Sequence, residues 1–197
     1  MPNSEEPSRT HEHALSQLRY IRSTMDGATR FTAVPGAGTA VIGVTAFVAA
    51  GLGQMQSTRD AMLSVWVGEA VVAGGIGLVA LIVKSRSAGI DLTRGAARKF
   101  VLALMPSAVC AAAIALALAV QGQTTLIPAV WLTGYGSAVV AAGTHSVSTV
   151  PIMGAAFVVA GLAALFVAPQ FHNALLALAF GGIHLTFGMH IARHHGG

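Results

Sequence analysis

One acidic residue stands inside a long apolar run. Ala61 to Val83 reads AMLSVWVGEAVVAGGIGLVALIV, and Glu69 is its only charged residue. A run of this length can cross a bilayer, which takes about 20 residues. An ionisable side chain at that depth costs roughly 2.5–3.5 kcal/mol on insertion scales, so it has a partner or a task. Counting inward from the ends of the apolar runs places Glu69, Tyr135, Thr45 and Thr133 in one layer. Two chemistries follow. In the structural one, a neutral carboxyl is hydrogen-bonded to Tyr135 or to a backbone carbonyl. In the functional one, Glu69 is the proton or cation site of a small proton-coupled carrier. The structural reading is preferred, because one buried acid without a basic partner makes a poor relay.

The histidines are the other reactive groups. His184 lies between Gly181 and Gly188 on one helix face. At its depth stand Ser107, just after a kink expected at Pro106, and Ser137. A lone histidine among small hydroxyls reads as an interior hydrogen-bonder, and a Ser107–His184 dyad is weak support for a hydrolase. His190 and His194 are spaced i and i+4, which can hold a metal on one helix face. His145 lies in the polar turn Thr-His-Ser-Val-Ser-Thr. These three are the metal candidates, but no acidic residue or cysteine accompanies them. Two histidines from different helices, His145 or His184 with His190, also outline a haem site, so the cofactor stays open. The single cysteine, Cys110, rules out an internal disulfide and any multi-cysteine metal site. There is no Gly-x-Ser-x-Gly, and the glycine runs have no preceding strand or following Lys-Ser/Thr that would make them phosphate loops.

The elements that must position these groups are helices. Only 9% of the 197 residues are charged and 54% are hydrophobic, against about 25% charged in soluble domains. Apolar segments predict spanning helices at about 35–53, 61–83, 99–120, 126–144, 150–169 and 172–191. The expected fold is all-α: a polytopic membrane bundle of six transmembrane helices over 33–197, after a leader over 1–32. Within the leader, Ala14, Leu18, Ile21, Met25 and Ala28 make one apolar stripe, with Arg19, Arg22, Asp26 and Arg30 opposite. That pattern predicts a short amphipathic helix lying in the headgroup region. No cleaved signal peptide and no lipidation motif are expected. Ten of the 11 lysines and arginines fall on one side of this topology, with only Arg59 on the other. The positive-inside rule makes that side cytoplasmic, with both termini on it. It also accounts for the net charge of +4 without nucleic acid.

Glycines recur every seven residues at Gly36 and Gly43, Gly68 and Gly75, Gly136 and Gly143, Gly154 and Gly161, and Gly181 and Gly188. The third helix instead has small residues every four, at Ala103, Ser107, Ala111, Ala115 and Ala119. Small residues on one face let helix backbones approach closely, which predicts a compact bundle rather than a wide pore.

The run FGGIHLTFGMHIARHHGG, with WLTGYGSAVVAAG before it and Val34-Pro35-Gly36 at the first helix, resembles a group of small bacterial six-helix integral membrane proteins of no known activity, marked by an FGG-x-H last helix. The resemblance implies the bacterial inner membrane and brings no cofactor or catalytic residue. The reading that follows is a non-enzymatic helical bundle whose partners are the lipid bilayer and either a second copy or another membrane protein. A proton-coupled carrier using Glu69 is the alternative, and a histidine-based haem or metal protein stands third.

Overall fold

Cap chemistry decides where the long helices stop. In a computed structural model, which describes residues 15–17 and 30–195, helix α1 spans Gly36–Gln54, α2 Arg59–Ser87 and α3 Gly95–Val120. At the start of α2 the Thr58 hydroxyl accepts from Ala61 N at 3.2 Å, and Asp60 lies in the first turn. Lys84 and Arg86 lie in its last turn, so the charges at both ends oppose the helix dipole. Beyond Ala88, Gly89 takes φ +67°. Ile90 N then reaches Ser85 O at 2.8 Å, and Gly89 N reaches Arg86 O at 3.1 Å. This paired closure needs a left-handed residue, which glycine adopts at little cost. Gly122 ends α3 in the same way, with Gln123 N donating to Leu118 O. Helix α2 runs past its predicted segment at both ends, and α3 starts four residues before its own and stops where predicted, at Val120.

The second half is a tighter hairpin. A single 3-10 turn, Thr124–Leu126, leads into α4, Ile127–Gly143, and α5 follows at Thr149–Ala164. The last helix begins with a 3-10 turn at Pro169–Phe171, continues as α6, His172–Leu176, passes through a π-helical stretch, Ala177–Ile183, and ends as α7, His184–His195. Among the described residues there is no strand, only an isolated parallel bridge between Phe31 and Ser146. The all-α bundle is as expected. Five of its helices are long and apolar enough to cross a membrane: Gly36–Gln54, Arg59–Ser87, Gly95–Val120, Thr124–Gly143 and Pro169–His194. The fifth expected span is shorter than predicted, because α5 ends at Ala164 after 16 residues.

Glycine contacts show which helices meet. A Cβ built on Gly43 would lie 2.6 Å from Leu185 N, and one built on Gly188 would lie 2.9 Å from Gly36 O. Thus α1 and the last helix pack backbone to backbone. Gly136 and Gly154 do the same for α4 and α5: a Cβ on either would come within 2.8 Å of the other's carbonyl oxygen. Gly143 meets Pro151, and Gly161 meets Thr133. These four heptad pairs behave as predicted. The fifth does not. Among the described residues no atom lies within 4 Å of such a Cβ on Gly68 or Gly75, so the pair forms no packing face with them. Helix α2 uses another stripe, setting Gly77 against Ile42 and Ala80 against Gly38. The small-residue row of α3 is used in part: Ala111 and Ala115 are buried, with Ala111 against Gly134, while Ala119 is exposed.

Residues 31–197 form one compact unit. Phe31 belongs to the bundle, where it is buried with its ring 5.0 Å from that of Phe100. Its amide donates to His145 O at 2.7 Å, and Ser146 Oγ donates to its carbonyl at 2.7 Å. The predicted amphipathic helix over 11–31 falls mostly outside the described residues, of which 15–17 are helical.

Candidate functional site

Polar side chains of the bundle gather at three places between helices. The most enclosed is centred on His184, which is 3% exposed. Its Nδ1 lies 2.8 Å from Phe180 O, and its Nε2 lies 2.7 Å from the Tyr135 hydroxyl. A carbonyl only accepts, so Nδ1 carries the proton and Nε2 accepts from Tyr135. Both ring nitrogens are thereby satisfied in the neutral form. Phe157 packs edge-on to Tyr135 at 4.9 Å, and the Phe180 ring stacks on His184 at 6.1 Å. The π-helical stretch ends at Ile183, one residue before His184. There the backbone bonds to the fifth residue instead of the fourth, which winds more residues into each turn.

This geometry corrects two pairings expected from depth counting. Tyr135 bonds His184, not Glu69. Ser107 does not reach His184, whose nitrogens are both committed elsewhere. Ser107 instead lines an open groove of about 310 Å³ between α3 and α4, with Cys110, Thr133 and Ser137. In this arrangement the Nε2 lone pair of His184 is taken up by the Tyr135 hydroxyl.

Glu69 occupies the second place, on the stripe by which α2 packs against α1. Its Oε1 lies 2.8 Å from Thr45 Oγ1, which is also 2.9 Å from Ile42 O. The side chain is half-buried, with exposed Gly68 and Ala70 on either side. Depth counting put Thr45 and Glu69 in one layer, and this part of the expected layer forms.

The third place escaped the sequence reading. Near the start of the last helix, Asn173 Oδ1 accepts from Trp66 Nε1 at 2.9 Å, while Nδ2 donates to Ala50 O at 3.0 Å and Gln54 Oε1 at 3.3 Å. Beside it His172, fully buried, has Nε2 3.1 Å from Val167 O and Nδ1 3.4 Å from an Arg59 nitrogen. One asparagine ties three helices together. The available signal was a His-Asn pair opening an apolar run, which reads as the end of a loop. Asn173→Leu should strand the buried Trp66 N–H and lower stability by about 1–3 kcal/mol. Thermal melting in detergent measures this, and pairing the change with Trp66→Phe should restore part of the loss.

The remaining histidines do not converge. His190 and His194 stack ring on ring at 4.3 Å, and His194 Nδ1 donates to His190 O at 2.9 Å. Stacked rings do not aim two nitrogens at one ion. His145 contributes its carbonyl to Phe31. Among the described residues no three His, Cys, Asp or Glu side chains stand close enough to hold a metal. In the loop between α2 and α3, Asp91 Oδ1 accepts from Thr93 N at 2.8 Å and Thr93 Oγ1 at 2.7 Å. Those bonds hold the Asp91 carboxyl below the usual carboxylate range.

No protein-family model, curated protein or solved structure matches this chain.

Proposed function

We propose that this is a non-enzymatic multi-pass protein of the bacterial inner membrane, a helical module that meets lipid or partner helices through α2 and α3. The observation that carries this reading is the contrast in burial. Within their apolar windows α2 is 6% and α3 11% buried inside the chain, against 50% for the span containing α4. Val71, Leu78, Val79 and Val83 on α2, and Val109, Ile114 and Leu116 on α3, are all exposed. So much apolar area on two long helices belongs in hydrocarbon or against another helix. Helices α1, α4, α5 and the last helix supply the packed body that holds them.

Six crossings remain the proposed topology. α5 is about 24 Å long at 1.5 Å per residue, short of the roughly 30 Å hydrocarbon core. It packs antiparallel to α4 through Gly136 and Gly154, and local thinning of the bilayer accommodates a short span at modest cost. With the basic residues facing the cytoplasm, reporter fusions at Gly89 and Gly197 should read inside, and those at Ser57, Gly122 and Gln170 outside. A fusion at Gly89 reading outside would reverse the topology.

The surface reading has its own test. A nitroxide attached at Val71→Cys in a Cys110→Ala background, in liposomes, should collide with oxygen and be shielded from a water-soluble nickel chelate. Strong relaxation by the chelate would place this face in water and end the membrane reading.

A further inference from the structure

Thr45 has one hydroxyl proton and two short contacts, Glu69 Oε1 at 2.8 Å and Ile42 O at 2.9 Å. With Glu69 ionised, the hydroxyl donates to the carboxylate and its contact with Ile42 O is no hydrogen bond. With Glu69 protonated, the acid donates to Thr45 Oγ1, and the hydroxyl turns its own proton to Ile42 O. Both contacts are then hydrogen bonds. Either state is served by rotating one hydroxyl, with no movement of a heavy atom. Among the described residues the remaining surroundings are uncharged. Helix α1 has no ionisable residue, and the nearest charges along α2, Asp60 and Lys84, stand at the two ends of its apolar run. His184, the titratable group at mid-height in the last helix, is occupied by Tyr135 and Phe180. Among the described residues nothing covers the outer side: a Cβ on Gly68 would meet no atom within 4 Å, and Ala70 is exposed.

We propose that Glu69 and Thr45 form a reversible proton-binding site on the seam between α1 and α2, open sideways to the bilayer interior. The inference rests on the membrane reading above and names a ligand for that face. A proton fits the donor set better than a metal ion does. One carboxyl and one hydroxyl fall far short of the six to eight oxygens that calcium takes.

The test is carbodiimide labelling of the full chain in liposomes, read by mass spectrometry of the Glu69 peptide. Dicyclohexylcarbodiimide enters through lipid and reacts with a protonated carboxyl. The acid proton passes to a carbodiimide nitrogen, the carboxyl oxygen bonds to the central carbon, and the adduct rearranges to a stable N-acylurea with nothing leaving. Across roughly pH 5 to 9, labelling of Glu69 should fall about tenfold per pH unit above a single midpoint, and Glu69→Gln should abolish it. The water-soluble carbodiimide should label exposed Asp60 and spare Glu69. Three results would overturn the proposal: no Glu69 labelling at any pH, labelling that does not vary with pH, or several-fold protection by sodium at fixed pH, which would assign a cation instead. If the water-soluble reagent labels Glu69 as readily as exposed Asp60, the carboxyl is in water and the membrane reading fails with the site.

Discussion

Gly188→Leu is expected to destabilise the bundle by about 1–3 kcal/mol or more, while Gly75→Leu changes stability by no more than about 0.5 kcal/mol. Both glycines belong to seven-residue pairs, and by spacing alone the two changes are equivalent. The structure separates them. At position 188 a side chain would meet the Ala40 backbone and the Gly36 carbonyl oxygen. Neither is the far end of a flexible side chain, so relief requires α1 and the last helix to move apart. That movement would also loosen Gly43 from Leu185, one turn pair further along the same seam. At position 75 a side chain meets open space. Melting of the two variants in one detergent gives the comparison directly. Equal melting temperatures would mean that the α1–last helix seam is not tightly packed.

The pair also marks what a sequence of this kind discloses. Glycine spacing reports that a helix has a small face, and four such faces are used in the chain. It does not say which neighbour fills a face, and on α2 none does. Depth counting has the same limit. It places residues in layers along the membrane normal but gives no order of helices around the bundle. Tyr135 and Glu69 share a layer, yet α2 packs on α1, while Tyr135 points from α4 into the π-helical end of the last helix. Counting at α-helical rise also takes no account of the π-helical stretch that ends just before His184. The π-helical turn over Ala177–Ile183 fits more residues into each turn and changes the depth of everything beyond it. No composition rule announces that turn. Trp66 and Asn173 were hidden for a simpler reason. Their bond joins residues 107 positions apart in the chain, and neither belongs to a reactive motif.

Removing the Tyr135 hydroxyl should be among the most damaging small changes in this protein. Tyr135→Phe keeps the ring and its contacts with Phe157 and Phe180. It deletes only the donor to His184 Nε2, which lies 2.7 Å away. The lone pair left behind is enclosed by Phe157 and Phe180 on a residue 3% exposed. A stranded buried acceptor costs about 1–3 kcal/mol, more than the bond itself contributes net. His184→Leu has the opposite defect. It strands the Tyr135 hydroxyl and frees Phe180 O from its side-chain donor, with a loss of similar size. The double variant Tyr135→Phe/His184→Leu removes both polar partners together and leaves an apolar box. Its loss should therefore be smaller than the sum of the two single losses, by about 0.5–3 kcal/mol of coupling. Melting of all four proteins in one detergent closes the cycle. Strictly additive losses would show that the two side chains do not share a hydrogen bond and would remove the aromatic box as the polar centre of the bundle. A double variant less stable than that sum would show that the histidine is held for its shape, with Phe157 and Phe180 rather than Tyr135 as its essential neighbours.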